Sequence, residues 1–183
     1  YMGALGAFNA YEPHYEQLIP GSNRGAMDYM RAAEAAGGRA KFAYLSVDFA
    51  NPTGETLDLR QREAVLDLAE EMDISIVEDA AYQALRYRGD PLPPILALEQ
   101  ARKGDINACR TLYAGSFSKT LAPGLRVGWI CGAKEMIARL VLTKQASDLH
   151  SPTLNQIATH IVADSIFAEH VDNLRTAYGA RLE

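Results

Sequence analysis

Residues 57–79, LDLRQREAVLDLAEEMDISIVED, predict one amphipathic helix directly before one buried strand. Apolar residues in the first part of this stretch recur at i, i+3, i+4 and i+7, the pattern of a helix with one apolar face. These residues are Val65, Leu68, Ala69 and Met72. Asp58 precedes Gln61 by three residues, the spacing of a capping box at a helix start. ISIVED, residues 74–79, is a short apolar run ending in two acids, which is typical of a strand in a parallel sheet.

Further strands and helices are predicted on both sides of this stretch. Apolar, β-prone runs predict strands at 41–49, 109–116 and 127–132. Helical patterns occur at residues 24–38, in a short segment after residue 94, and in two long segments beyond residue 132. The two long segments carry the apolar residues Ile137, Leu140, Val141, Leu154, Ile157, Ala158, Ile161 and Val162. The alternation of strands and helices predicts an α/β fold in three layers, with helices on both faces of a mostly parallel sheet.

Composition and charge exclude several classes of function. The chain has 183 residues, of which 48% are hydrophobic and 22% charged, as expected for a globular protein. Its net charge of −5 argues against nucleic acid as a partner, since binding to a phosphate backbone needs a basic surface. No apolar stretch reaches the roughly 20 residues of a membrane span. Two cysteines without a C-x-x-C spacing and four histidines without ligand spacing predict reduced thiols, no metal site and a cytoplasmic protein.

Polar side chains that could bind a ligand or take part in catalysis cluster where the predicted strands end. Ligands of open α/β sheets bind beyond the carboxyl ends of the strands, so these side chains are the candidates for a site. They are Asn51, Asp79, Tyr82, Ser116, Ser118, Lys119 and, just before the last strand, Arg126. Each one alone has an ordinary explanation, such as a turn, a helix cap or core packing. Their shared position at one edge of the sheet is what indicates a common site.

The chemistry of this set matches one small molecule in particular. Two serine hydroxyls and a guanidinium suit a phosphate dianion, because hydroxyls donate hydrogen bonds and arginine binds two oxygens at once. A lysine amine can attack an aldehyde, and a carboxylate can pair with a protonated ring nitrogen. A phenol and an amide can bind a ring hydroxyl. Pyridoxal 5′-phosphate carries all of these groups, and we therefore expect it to be the cofactor.

Three motifs then point to a known family. They are NPTG at 51–54, EDAAY at 78–82 and SFSKTLAPGLRVGW at 116–129, with a 28-residue step from Asn51 to Asp79. In these motifs and their order, the chain resembles the class I/II aminotransferases of the fold-type I pyridoxal-phosphate superfamily. The stretch SDLHSPTLNQ, residues 147–156, is similar to the branch that contains 2-aminoadipate aminotransferases.

The resemblance implies roles for the residues that match the motifs. It implies that Lys119 forms the internal Schiff base and moves the proton in a ping-pong exchange between an amino acid and a 2-oxo acid. It implies that Asp79 holds the pyridine nitrogen protonated, while Tyr82 and Asn51 bind the 3-oxygen of the ring. For the phosphate it implies an anchor made of Ser116, Ser118 and Arg126. It also implies a homodimer, since the complete site of such enzymes lies at a dimer interface.

Members of this family are considerably longer than 183 residues. The resemblance therefore predicts that residues 1–183 are a central part of the cofactor-binding large domain, without the family's N-terminal segment and small C-terminal domain. On that interpretation the fragment alone is expected to be inactive, because the arginine that binds the substrate's α-carboxylate lies in the part after it.

Two other interpretations share the same residues. Lyases, decarboxylases and racemases of fold-type I use the same cofactor-binding groups and differ in their substrate contacts. Some transcription regulators fuse a helix-turn-helix domain to an aminotransferase-like domain that senses the cofactor. An N-terminal winged-helix pattern in the complete reading frame would favour the regulator.

Overall fold

The structure is a computed structural model, and it describes residues 2–181. Its helices are α1 (Met2–Asn9), α2 (Ala26–Ala35), α3 (Leu59–Glu71), α4 (Ile95–Lys103), α5 (Lys134–Asp148) and α6 (Thr153–Ala180). Its strands are β1 (Phe42–Leu45), β2 (Ser75–Asp79), β3 (Thr111–Ser116) and β4 (Gly128–Cys131). Short 3₁₀ turns lie at Gln83–Leu85, Ile106–Ala108 and Pro123–Leu125.

The four strands form one sheet in the order β1-β2-β3-β4. The pairs β1–β2 and β2–β3 are parallel, whereas β4 runs antiparallel to β3. Helices α3 and α4 contribute Val65 and Ile95 to the core on one face. On the other face, Phe8 of α1 packs edge-on against Phe42 and Tyr44, with ring centroids 5.2 and 5.7 Å apart. The α/β fold with a mostly parallel sheet and helices on both faces is therefore confirmed.

The helix–strand pair predicted at residues 57–79 forms as α3 and β2. Asp58 accepts a hydrogen bond from the Gln61 N–H at 2.8 Å, and the Gln61 side chain accepts one from the Asp58 N–H at 2.9 Å. This confirms the capping box. The buried core includes Val65, Ala69 and Ile76. Val65 and Ile76 each contribute roughly 1.5–3 kcal/mol of transfer free energy when fully buried.

A buried ion cluster ends β1 earlier than the sequence predicted. The strand expected at 41–49 stops at Leu45, and Asp48 turns inward at 1% exposure. Asp48 Oδ1 accepts hydrogen bonds from Arg62 Nη2 at 2.8 Å and from Arg86 Nη2 at 2.6 Å. Arg62 also donates to the carbonyl oxygens of Leu57 and Pro93, at 2.9 and 3.0 Å. These contacts join α3, the segment after β1 and the turn after β2, so they fix the segments from which the strand ends emerge.

Two buried carboxylates hold α4 between β2 and β3. Helix α4 begins after Pro94, which offers no side-chain cap. Glu78 of β2 replaces that cap, accepting the N–H groups of Ile95 and Leu96 at 2.9 and 3.2 Å. Glu99 of α4 accepts the N–H groups of residues 110 and 111 at 3.0 and 2.9 Å, where β3 begins. Because these four N–H groups are satisfied by charged acceptors, the crossover from β2 to β3 is fastened at both ends.

We expect the Glu78 carboxyl to make the free energy of unfolding depend on pH. Burial raises the pKa of Glu78 above its ordinary value, and the bonds from Ile95 and Leu96 oppose this only in part. The folded state then binds the proton more tightly than the unfolded state. The resulting stability is fully present below the unfolded pKa and is lost as the pH rises through the folded pKa. Urea unfolding from pH 4 to pH 8 should show that wild type loses stability relative to Glu78→Gln. The loss is about 1.4 kcal/mol for each tenfold difference between the acid constants of Glu78 in the folded and unfolded states.

Glu71→Gln is the matched control, because Glu71 is exposed at the end of α3. Its stability should run parallel to that of wild type over the same pH range. Parallel curves for wild type and Glu78→Gln would contradict the prediction.

The apolar residues of α5 and α6 are more exposed than their sequence pattern predicts. Within residues 2–181 no side chain of α5 is buried, and α6 buries only Thr159 and Val171. Leu154, Ile157 and Ile161 are 76%, 51% and 61% exposed. The described elements meet α6 mainly at two 3₁₀ turns, where Asn155 and Arg175 donate to backbone carbonyls at 2.9 and 2.8 Å. The helical pattern was therefore correct, but the described residues leave Leu154, Ile157 and Ile161 largely uncovered.

None of the helices described in residues 2–181 combines the length and the apolar character that crossing a membrane requires.

Candidate active site

The carboxylate of Asp79 lies at the end of β2 and is held from two directions. Its Oδ1 accepts a hydrogen bond from the Ala81 N–H at 3.2 Å. Its Oδ2 accepts one from the Tyr44 hydroxyl on β1. The register pairs Tyr44 with Val77, so Tyr44 and Asp79 share one face of the sheet. The predicted ring-nitrogen partner is therefore a half-buried carboxylate whose two oxygens both have donors.

Ser116, Ser118 and Lys119 follow one another at the end of β3. Ser116 Oγ accepts a hydrogen bond from the Ser118 N–H at 3.0 Å, which folds the chain into a tight turn. Thr120 fastens the same turn by donating to the Ser116 carbonyl oxygen at 3.3 Å. Lys119 is exposed, and its Nζ lies 5.9 Å from the centroid of the Tyr82 ring. The structure thus brings the predicted lysine and tyrosine together across the ends of β2 and β3.

The pairing of β3 with β4 brings the segment that carries Arg126 to the turn that follows Ser116. Ser116 pairs with Gly128, two residues after Arg126, and the Phe117 N–H donates to the Val127 carbonyl at 3.1 Å. Arg126 follows the Pro123–Leu125 turn with a φ of 54°, a left-handed conformation that is uncommon for arginine. Its guanidinium is exposed, with one bond of 3.4 Å to a carbonyl of its own turn. It is therefore accessible to an anion at the end of β3.

Two glycines make this close approach of β3 and β4 possible. A Cβ on Gly115 would collide with the ring of Trp129, its partner in the register. A Cβ on Gly128 would lie 3.0 Å from the Gly115 carbonyl oxygen, tighter than nearly all real contacts. The glycines in GSFSK and RVGW thus have a packing reason. Ser116 directly follows the first of them, and Arg126 lies two residues before the second.

Asn51 lies in the exposed turn after β1. The Asn51–Pro52 peptide bond is cis, and the turn closes through a hydrogen bond from the Ala50 N–H to the Glu55 carbonyl at 2.8 Å. Among the side-chain hydrogen bonds of the described residues, none ties Asn51 to the other predicted site residues. Its predicted contact with a ring oxygen stays a prediction.

Asp79 and Tyr44 also line an open cavity between α1 and the sheet. The cavity measures about 420 Å³, and its remaining walls include Phe8, Phe42 and Val77. An apolar wall reduces competition from water, so a hydrogen bond beside it is stronger than one at an open surface.

Tyr113 marks the opposite face of the same sheet. It pairs with Glu78, and its hydroxyl donates to Gln83 Oε1 at 2.5 Å. Burial, followed by the charges of Glu78 and Asp48, raises the pKa of Tyr113 to about 12. This hydroxyl therefore stays protonated at neutral pH and belongs to the packing of the sheet. Within residues 2–181, no three His, Cys, Asp or Glu side chains gather in a way that could hold a metal ion.

The profile of the family "Aminotransferase class I and II" matches residues 44–183. The chain belongs to this family. The matched range contains the end of β1, all of β2 to β4 and every predicted site residue, so the family assignment rests on the same part of the molecule as the site.

Similar proteins agree with this assignment. Aromatic-amino-acid aminotransferase 1 of Thermococcus litoralis is 36% identical over 99% of the chain, which spans 43% of that protein. The 2-aminoadipate transaminase of Thermus thermophilus is 35% identical over 97% of the chain, which spans 44% of that protein. A kynurenine aminotransferase structure from Pyrococcus horikoshii, in complex with PMP, superimposes with a TM-score of 0.84 at 36% identity, over 99% of this chain and 44% of that one. The chain therefore spans less than half the length of these relatives.

Sequence reasoning missed one residue of this site. Tyr44 was not predicted, because a tyrosine in a β-prone run is normally interpreted as packing. The sequence did contain one signal: side chains alternate between the two faces of a strand, and this alternation in KFAYLSVDF assigns Tyr44 to one face. Only the register with β2 reveals that this face also carries Asp79.

Proposed function

We propose that the protein is a pyridoxal-phosphate-dependent aminotransferase, which moves an amino group between an amino acid and a 2-oxo acid by ping-pong exchange. The observation that carries the proposal is the meeting of Lys119 and Tyr82, 5.9 Å from Nζ to the ring centroid, at the ends of the neighbouring strands β3 and β2, the second of which ends in Asp79. Ser116 and Ser118 precede that lysine in the turn at the end of β3, and Arg126 precedes β4, which pairs with β3. Membership of the aminotransferase class I and II family supports the same assignment.

The residues present fit pyridoxal 5′-phosphate by the chemistry of their donors and acceptors. The exposed guanidinium of Arg126 and the turn at Ser116 offer donors for a phosphate dianion. The Lys119 amine is accessible to an aldehyde. Each oxygen of the Asp79 carboxylate has one donor and keeps a second lone pair for a ring N–H.

When bound, this cofactor supplies an electron sink for the electrons left on the substrate's α-carbon. The chain's own residues bind and orient. Arg126 and the two serines hold the phosphate, which fixes the molecule at the end of β3. Asp79 accepts a hydrogen bond from the ring nitrogen and keeps that nitrogen protonated by its negative charge. Lys119 Nζ takes up the proton of the substrate's α-carbon and moves it as a general base and acid.

We further propose the finer features that the family resemblance implied. The chain is the central part of a cofactor-binding large domain, and the whole protein acts as a homodimer in the cytoplasm. The exposed apolar faces of α5 and α6 support this arrangement, because they offer surface for further protein to cover. The relatives named above are aminotransferases, so they do not favour a lyase, a racemase or a regulator.

The direct test is a screen of amino donors with the protein from the complete reading frame. Aromatic amino acids and 2-aminoadipate are the first donors to assay, with several 2-oxo acids, because the named relatives are aminotransferases of these types. Amino transfer that depends on added cofactor is the expected result. Decarboxylation or racemisation without transfer would contradict the proposal and favour another fold-type I enzyme.

Arg126→Ala should weaken cofactor binding through the phosphate. The change removes a charge-assisted contact worth on the order of 2–3 kcal/mol. The affinity for pyridoxal phosphate should then fall by roughly one to two decades, while the affinity for pyridoxal without phosphate should change little. Fluorescence titration of the apoprotein with both compounds measures the difference. Arg139→Ala, which removes an exposed arginine from α5, is the matched control; equal losses for both compounds would place Arg126 away from the phosphate.

A further inference from the structure

We propose that Tyr44 is a positioning residue that orients the Asp79 carboxylate toward the ring nitrogen of the cofactor. The inference rests on the proposed function and adds one residue to its machinery. The observation behind it is the hydrogen bond from the Tyr44 hydroxyl to Asp79 Oδ2, between two neighbouring strands.

The carboxylate is fastened by donors that come from two different elements. Ala81 follows Asp79 in the chain, and its N–H fixes Oδ1 from the same segment at 3.2 Å. Tyr44 lies 35 residues earlier on β1 and fixes Oδ2 from the side. With one donor on each oxygen, the plane of the carboxylate is set by β1 and β2 together.

This second donor is needed because the side chain of aspartate does not set its own orientation. The last torsion of an aspartate joins an sp³ to an sp² carbon, so its preferences are broad. A charge-assisted hydrogen bond to a ring nitrogen requires a separation of about 2.7–2.9 Å. A carboxylate fastened at Oδ1 alone would be free to swing away from that geometry.

Tyr44 is itself held in place by contacts that do not involve its hydroxyl. Its ring packs edge-on against Phe8, with centroids 5.7 Å apart, and is only partly exposed. The apolar wall of the neighbouring cavity includes Phe8, Phe42 and Val77. Replacement by phenylalanine therefore keeps the ring contact and removes the hydroxyl that donates to Asp79.

The experiment compares Tyr44→Phe with Tyr113→Phe in the protein from the complete reading frame. Both changes delete one tyrosine hydroxyl from the sheet, but Tyr113 lies on the opposite face and donates to Gln83. Two quantities are measured without turnover: the affinity of the apoprotein for pyridoxal phosphate, and the ¹⁵N chemical shift of the bound cofactor's labelled ring nitrogen. For Tyr44→Phe we expect the affinity for pyridoxal phosphate to be roughly 3- to 10-fold lower, because one hydrogen bond is lost. We also expect the ¹⁵N chemical shift of the ring nitrogen to move toward the value of the unprotonated ring. For Tyr113→Phe both quantities should match wild type.

A double-mutant cycle separates positioning from packing. In an Asp79→Ala background, adding Tyr44→Phe should change neither the affinity nor the ¹⁵N shift further, because the group that Tyr44 positions is gone. A full additional loss in that background would show that Tyr44 acts through packing, and the inference would be wrong. Unchanged affinity and ¹⁵N shift in Tyr44→Phe, with wild type binding the cofactor, would overturn this inference alone. Wild-type protein that binds no cofactor would overturn the proposed function and the inference with it.

Discussion

Lys119→Ala should lose both turnover and the covalent capture of the cofactor. The wild-type protein with added pyridoxal phosphate should show a near-visible absorbance band, and borohydride should fix the cofactor to the peptide containing Lys119. In the variant this adduct should disappear, because no other described lysine faces Tyr82 at the end of β3. Turnover should fall by about 10⁴-fold or more, since the residue that acts as nucleophile also moves the proton.

Lys134→Ala provides the control for Lys119. Lys134 is an exposed lysine at the start of α5, away from the ends of β2 and β3. This variant should keep the adduct and the activity of wild type. A borohydride-fixed adduct on the same peptide in Lys119→Ala would show that another nucleophile binds the cofactor.

Asp79→Asn should leave the cofactor bound while reducing turnover by roughly 10²- to 10³-fold, the loss typical of one preorganised electrostatic contact. The amide keeps the size of the carboxylate and can still accept a hydrogen bond from Tyr44 or from the Ala81 N–H. It has no negative charge to hold a proton on the ring nitrogen, so the ring becomes a poorer electron sink. Steady-state kinetics give the loss of kcat, and titration of the apoprotein gives the affinity.

Asp90→Asn is the matched control for Asp79. It changes the same charge in an exposed loop beyond the turn after β2, and both kinetics and affinity should remain those of wild type. Normal turnover in Asp79→Asn would show that the ring nitrogen obtains its proton from another group.

The elements at residues 57–79 were predictable because their determinants are local. The capping pair Asp58–Gln61 and the apolar spacing of α3 need no information from the rest of the chain. The early end of β1 was not predictable, since it depends on Arg62 and Arg86 meeting Asp48 from distant positions. The exposure of α5 and α6 was not predictable either. An apolar stripe indicates that a face can be covered, but it does not indicate by what.

Some residues of the candidate site were also predictable from the sequence, and others were not. Asp79 and Lys119 were located by a general rule, because polar residues at the carboxyl ends of parallel strands converge at one edge of the sheet. Tyr44 escaped that rule, since it lies within a strand and reaches Asp79 through the register between β1 and β2. Sequence spacing alone gives no register, and so the donor to Asp79 emerged only from the structure.

The hydrogen bonds of Glu78 and Glu99 determine how local unfolding would disrupt the candidate site. Glu78 precedes Asp79 directly, and Glu99 fastens the strand that leads to Lys119. Breaking either contact uncovers backbone N–H groups of α4 or of β3, so β2, α4 and β3 should open together as one cooperative unit. Partial melting of this unit separates the ends of β2 and β3, which carry Asp79 and Lys119, so we expect the candidate site to be lost before the whole chain unfolds.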